Sequence, residues 1–294
     1  MTAAQHSKAM QHGSPSMKKI LLLGNKEKPQ VRDALDDLEP WLRERVDLEV
    51  DLELRGESDP ADFDLAVVLG GDGSVLRAAR AFGKPKLPVL GINVGKFGFL
   101  TESTAEEARE VLQDVLDGNY RLEPRMMLQW SLVSDGEVAE SDLGFNDVVV
   151  SRTALSRLIT IDFYVDGEHA TTYRADGLII STPVGSTAHS LAAGGPILYP
   201  DMEAFVITPI CPHTLTNRPL VLPGGSHMEM EVADFAEQPA LTVDGQVNRS
   251  MKCGQRVRVQ QAPQSLQLVR TGRRTFFSTL HDKLDWRGQP RYER

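Results

Sequence analysis

One stretch restricts what this chain can fold into more than any other, the run from Asp64 to Arg80. Leu65-Ala66-Val67-Val68-Leu69 is a short apolar segment with two β-branched residues, the profile of a strand buried on both faces. Three glycines then surround one acid, as Gly70, Gly71, Asp72 and Gly73. Ser74 stands where an N-cap belongs, and Val75 to Arg80 reads as a helix. Glycine admits φ > 0 and close backbone approach, and a helix N-terminus offers free N–H groups and partial positive charge. Phosphate therefore suits this corner, with Gly70, Gly71, Gly73 and Ser74 as its cradle. Asp72 is an acid set among phosphate oxygens, and three kinds of chemistry would justify it there: orienting a hydroxyl, taking its proton, or holding Mg²⁺. A purely structural corner would use the same residue types, because Asp is at home in glycine turns.

Two familiar glycine motifs are excluded. A dinucleotide fingerprint needs glycine three places after Gly73, where Leu76 sits. A P-loop needs four residues between its glycines and Ser or Thr after Lys; Gly91 to Phe97 has three, and Phe97 follows Lys96. Composition narrows the field further. The 294 residues carry a net charge of −9, which argues against a general nucleic-acid or anionic-membrane binder. Two cysteines, Cys211 and Cys253, make no disulfide framework, so a reducing, cytoplasmic setting is expected. No apolar run reaches the ~20 residues of a membrane span. Residues 1–17 are polar, without an apolar signal-peptide core, and read as a disordered tail.

From Lys18 strands and helices alternate. A strand ends at Gly24, and a helix follows from Pro29 to Val46 that Pro40 should break or kink. The Asp72 corner comes next, then a buried strand over Pro88–Asn93 and a glycine-rich turn through Gly95 and Gly98. A helix over Thr104–Leu116 carries Glu106 and Glu107 in its first turn. This alternation predicts an α/β domain with a parallel sheet over residues 18–120. The pattern then changes to short β-rich pieces: 127–133, 138–142, 147–151, 158–165, 170–174, 178–182, 227–232 and 255–260. Asp135-Gly136 and Asp166-Gly167 are hairpin turns of type I′. A β-sandwich is expected over 121–270, with a tail of 271–294 whose Phe276, Leu280 and Leu284 pack back on the first domain.

The stretch Arg174 to Pro196 repeats the opening logic. A strand ends at Thr182-Pro183, Gly185 turns, Ser186 and Thr187 offer caps, and a small-residue helix is expected up to Gly194-Gly195. Taken together, these stretches resemble the NAD kinase family. Gly70 to Ser74 resembles its Gly-Gly-Asp-Gly motif, and Gly91-Ile92-Asn93 with Gly98 to Glu102 resembles the segment that follows. Asn146-Asp147, Asp176 through Gly195, Thr208 to Pro219 and Asp244-Gly245-Gln246 resemble further blocks in the same order. The resemblance spans about 18–290 and implies a Rossmann-like N-terminal α/β domain, a C-terminal β-sandwich and an active site between them. It also implies transfer of the ATP γ-phosphoryl to the 2′-hydroxyl of the adenosine ribose of NAD, giving NADP.

On that resemblance Asp72 is the catalytic base. The NAD contacts fall on Asp72, Gly73, Arg77, Asn146, Asp147, Arg157, Arg174, Asp176, Thr187, Ala188, His189, Ser190, Leu191, Ala192 and Gln246. A divalent ion, Mg²⁺, would be held mainly by substrate phosphates. ATP and NAD are the expected partners, with polyphosphate as a further donor, and the assembly is expected to be a homodimer or homotetramer. Three positions depart from the family pattern: His189 is commonly Tyr, Asp147 is usually Glu, and Ala192 is often Ser. Two other readings stay open, a lipid or sugar kinase on the same scaffold and a non-catalytic NAD(P) sensor.

Overall fold

The computed structural model describes residues 17–53, 59–82, 87–95, 98–153, 158–214, 216–234, 238–252 and 254–285. The chain divides into two compact units. The first ends at Glu123 and resumes at Leu266, and the second is Pro124–Ser265.

The first unit is built as β1 (Lys19–Leu23), α1 (Pro29–Arg43), β2 (Asp47–Asp51), β3 (Leu65–Leu69), α2 (Asp72–Phe82), β4 (Val89–Asn93), β5 (Ser103–Thr104) and α3 (Ala108–Leu116). Its strands lie in the order β4-β3-β1-β2 and all pair in parallel, with Ile20 opposite Leu65 and Ala66 opposite Val89. β3 and β4 are buried at every position, which is why they read as unbroken apolar runs. α1 lays Val31, Ala34, Leu35, Leu38 and Leu42 on the core at helical spacing. Pro40 neither ends nor divides that helix: the packed face carries it on to Arg43, correcting the expected break. α3 begins at Ala108, after the two-residue strand β5, so Glu107 takes the N-cap place and the first-turn acid is Glu110.

The second unit holds β6 (Arg121–Ser134), β7 (Glu137–Gly144), β8 (Asp147–Ser151), β9 (Ile159–Val165), β10 (Glu168–Ala175), β11 (Gly177–Ser181), α4 (His189–Ala192), β12 (Ala204–Ile210), β13 (Leu220–Pro223), β14 (Met228–Asp234), β15 (Ala240–Val243), β16 (Val247–Ser250) and most of β17 (Arg256–Arg270). One antiparallel sheet has the order β13-β12-β11-β8-β15-β16. A second layer joins β10, β9, β14 and β17, with β6 and β7 as a hairpin. Val148, Leu178, Phe205 and Leu241 of the first layer meet Trp130, Phe163, Met230 and Val257 of the second in one core, the arrangement of a β-sandwich. The β6–β7 and β9–β10 turns carry Asp135 and Asp166 at φ +51° and +52°, each followed by a left-handed glycine, as the Asp-Gly pairs predict. The described residues end with α5 (Phe276–Leu284), capped by Thr275 and Ser278; Phe276 touches Phe99 of the same unit and Leu280 is buried, whereas Leu284 is exposed and does not pack as expected.

Candidate active site

In the first unit the chain leaves β3 through Gly70 and Gly71, and α2 opens at Asp72. Ser74 is therefore inside the first turn and not the N-cap. The cap carbonyl is that of Gly71, which accepts the Ser74 N–H at 2.9 Å. Asp72 sits half-buried in that turn, where the helix dipole favours an anion. Its Oδ2 accepts the Phe99 N–H at 2.9 Å and its Oδ1 the Leu100 N–H at 3.0 Å. A carboxylate has about four lone-pair sites, so Asp72 retains the capacity to accept a hydroxyl proton.

The loop that supplies those N–H groups is held from its other side by Arg270. The guanidinium donates to the Phe99 and Thr101 carbonyls at 3.0 and 3.1 Å and pairs with Glu102 Oε2 at 3.0 Å. The Glu102 side chain is fully buried, and its Oε1 also accepts the Thr271 N–H and hydroxyl, both at 2.8 Å. Gly98 makes room for the acid: a Cβ there would lie 1.8 Å from Asp72 Oδ1. Gly71 is different, because a Cβ there would meet nothing within 4 Å. Gly70, Gly71 and Gly73 are not among the positive-φ glycines, so backbone handedness does not explain glycine in this corner; at Gly70 the cause is close approach, since a Cβ there would lie 2.2 Å from Ser74 Oγ. Arg77 is exposed farther along α2, and Lys96 lies outside the described residues.

In the second unit, Phe145, Asn146 and Asp147 lead into β8, and a buried acid far along the chain organises them. Asp244 stands in the turn between β15 and β16 at φ +52°. Its carboxylate accepts the Phe145 N–H at 3.1 Å, the Asn146 N–H at 2.7 Å and the Asp147 N–H at 3.2 Å. From the other side Thr182 donates its N–H to the Asn146 carbonyl at 2.9 Å and its hydroxyl to the Phe145 carbonyl at 2.6 Å. The backbone of the turn is thus tied on both sides. Its side chains differ: Asn146 Oδ1 is buried and has no partner among the described residues. Asp147 is 4% exposed, and burial first, then the Asp244 charge, pushes its carboxyl up to about 7. Near neutral pH this turn therefore presents an amide acceptor beside a carboxyl that can still donate.

The remaining predicted residues are spread along the same unit. The helix expected from Ser186 to Gly195 is a 3₁₀ turn over Gly185–Thr187 followed by the single-turn α4. Ser186 and Thr187 do not cap it; their hydroxyls donate back to the Pro183 and Val184 carbonyls at 2.5 and 2.9 Å. Ser190 turns inward to Thr208 Oγ1 at 2.8 Å, while His189 and Ala192 are exposed and Thr187, Ala188 and Leu191 half-buried. Asp176 is paired with Arg152 by two contacts, Nε–Oδ1 at 2.6 Å and Nη2–Oδ2 at 3.1 Å. Arg174 is exposed on β10 with its carbonyl accepting the His213 N–H. Gln246 is half-buried two residues after Asp244, and Arg157 lies outside the described residues. Asn146, Asp147 and Gln246 are thus gathered by one turn. Arg152 and Arg270 are organising groups that the sequence did not single out, and Asp244, Gly98 and Glu102 stood in it only as parts of motif blocks, without a role. Among the described residues no three His, Cys, Asp or Glu side chains could hold a metal ion together.

An α/β unit with an acid seated at a glycine corner, followed in the chain by a β-sandwich, has the equipment for phosphoryl transfer to a hydroxyl. Residues 15–120 match the model of the ATP-NAD kinase N-terminal domain, and residues 145–271 that of the ATP-NAD kinase C-terminal domain. The chain belongs to the NAD kinase family. It is 43% identical over 281 residues to the NAD kinase of Geobacter sulfurreducens, covering 92% of this chain and 99% of that protein. It is 40% identical over 272 residues to that of Rhodopirellula baltica, covering 92% and 88%. The crystal structure of yeast NADH kinase complexed with NADH is similar at a TM-score of 0.85 and 26% identity, covering 95% of this chain and 91% of that one. An NAD kinase from Archaeoglobus fulgidus in complex with ATP is similar at a TM-score of 0.70 and 25% identity, covering 92% and 99%.

Proposed function

We propose that this chain transfers the γ-phosphoryl of ATP to the 2′-hydroxyl of the adenosine ribose of NAD. The hydroxyl oxygen forms a bond to phosphorus, the bond to the β-phosphate oxygen breaks, ADP leaves, and the hydroxyl proton passes to Asp72. The observation that carries this reading is the seating of Asp72: a carboxylate in the first turn of α2, fixed by the Phe99 and Leu100 N–H groups and with lone pairs left over. Phosphoryl transfer asks mainly for positioning and charge neutralisation, so a single acid at a glycine corner is sufficient equipment. The open space at Gly71 suits the approach of phosphate. Asn146 and Asp147 supply an acceptor and a donor for the ribose or the adenine edge.

An ion, Mg²⁺, held largely by substrate phosphates would neutralise the transferred charge. The division of the chain into two units supports the reading of an α/β domain and a β-sandwich domain. The likeness to an NADH kinase makes NADH a second acceptor worth testing. Self-association is supported by the edge strand β13, which exposes Leu220 and Val221, and by exposed Tyr199 and Met202 just before β12. A cytoplasmic setting is supported by the free thiol of Cys211; among the described residues no helix is long and apolar enough to cross a membrane. Incubation with ATP, Mg²⁺ and NAD should give NADP. NADP binding without turnover would make the chain a sensor instead.

A further inference from the structure

We propose that Asp244 is a positioning residue of this enzyme, holding Asn146 and Asp147 in the arrangement that meets NAD and setting which of them donates. The inference deepens the proposed function and rests on it. Its basis is the convergence of three successive N–H groups, from Phe145, Asn146 and Asp147, on one carboxylate 97 to 99 residues away. Such a nest of N–H groups ordinarily receives an external anion. Here the protein fills it with its own acid, which accepts left-handed backbone at φ +52° to get there and is 8% exposed. The return bond, Asp244 N–H to the Asp147 carbonyl at 3.0 Å, closes the pairing.

Three N–H donors converge on the Asp244 carboxylate. That charge stands next to Asp147, whose carboxyl has no side-chain hydrogen bond among the described residues and is buried. The strands paired with β8 bring neutral residues to Asp147: β11 places Ser181 opposite it with Thr182 next, and β15 contributes Val243. Among the described residues Asp244 is the charged neighbour that acts on it, and it acts to keep the proton on Asp147. The shorter acid thus keeps an O–H donor one residue after Asn146, whose Oδ1 is an unpartnered acceptor. When Asp147 ionises, the donor is lost and two adjacent carboxylates confront the ligand's oxygens.

The test is NAD binding by calorimetry from pH 5.5 to 8.5, with and without Asp244→Asn. In the wild type, affinity should be level below about pH 6 and fall above about pH 7 as Asp147 ionises. Asp244→Asn should weaken NAD binding by about tenfold or more, because the three N–H groups exchange a charged acceptor for a neutral one and an amide NH₂ can replace the Oδ2 that faces the Phe145 N–H. It should also move the break to lower pH, while turnover at saturating NAD changes much less. A purely structural role would weaken binding without moving the break. A folded variant with wild-type affinity and an unmoved break would overturn the proposal. Should that variant not fold, carbon-13 NMR of the wild type decides: the Asp147 carboxyl should titrate near neutrality, and the 145–147 amides should exchange slowly. An Asp147 carboxyl titrating in the ordinary range, or rapidly exchanging amides, would overturn it. Failure of the wild type to form NADP would instead sink the functional reading and leave these observations standing.

Discussion

Asp72 in the α/β unit and Asp244 in the β-sandwich unit each gather backbone N–H groups from a segment remote in sequence, two in the first case and three in the second. In both places the carbonyls of that segment are held from the opposite side, by Arg270 in one unit and by Thr182 in the other. The surroundings of the two acids then diverge. Asp72 is half-buried at a helix N-terminus, with lone pairs left and open space at Gly71. Asp244 is buried in a left-handed turn with its carboxylate spent on three donors. The same device therefore serves two ends. Where the acid keeps an open side it can do chemistry, and where it is enclosed it can only position others.

The comparison can be broken at either clamp. Arg270→Ala should cost most in stability, about 3–5 kcal/mol, because it leaves Glu102 charged and fully buried with only Thr271 to satisfy it. Denaturant unfolding checks this, and turnover should fall with it as the Phe99 and Leu100 N–H groups drift from Asp72. Asp147→Asn probes the other clamp. Because the Asp147 carboxyl is held above its ordinary 3.8, up to about 7, the folded chain keeps a proton that the unfolded chain has released between those values. Wild-type stability should therefore fall as pH rises through that window, by roughly 4 kcal/mol at most. Asp147→Asn has no proton to lose, so its stability relative to wild type should rise from pH 4 to pH 8, read as a pH series of unfolding midpoints. Parallel wild-type and variant profiles would contradict the raised carboxyl.

Smaller changes sharpen the comparison. Gly98→Ala puts a methyl group onto the Asp72 carboxylate, so turnover should drop by roughly 10–100-fold, about 1.4–2.7 kcal/mol of barrier, while the Tm moves by a few degrees. Gly71→Ala meets no protein atom and needs no unusual φ. Its stability should stay within about 0.5 kcal/mol of wild type or rise slightly, with only the Michaelis constant for ATP increasing. A Gly71→Ala enzyme with unchanged ATP kinetics would mean that phosphate does not come to that side of the corner.

Much of this was readable in the chain because the signals were local. The β3 run, the glycine corner and the two Asp-Gly hairpins each announce themselves within a few residues. β2 was passed over because its alternation of acids with apolar residues, Asp47–Asp51, lasts only five positions; it pairs along β1 and seats Leu48 in the core. β12 hides a proline, yet Pro209 lies opposite Leu178 within the sheet. The helix after Thr182 was overread because Ser and Thr look like caps, whereas Ser186 and Thr187 bond to their own turn. Asp244 illustrates the limit best. The Asp244-Gly245 pair marks a turn, and φ of +52° and +65° show that it is one. Nothing nearby says that its carboxylate reaches Phe145, Asn146 and Asp147, because those partners come into range only when β15 pairs with β8.

The division of labour between the two acids is tested most directly by single-turnover NADP formation in Asp72→Asn, with NAD and ATP saturating and NAD affinity measured alongside. The substitution keeps size and one acceptor oxygen and removes the charge that takes the proton. The rate should fall by ~10²–10⁴-fold, roughly 3–5 kcal/mol of barrier, with NAD affinity within about threefold of wild type. A folded Asp72→Asn enzyme that keeps more than about a tenth of the wild-type rate, or that loses NAD affinity in place of rate, would contradict the account.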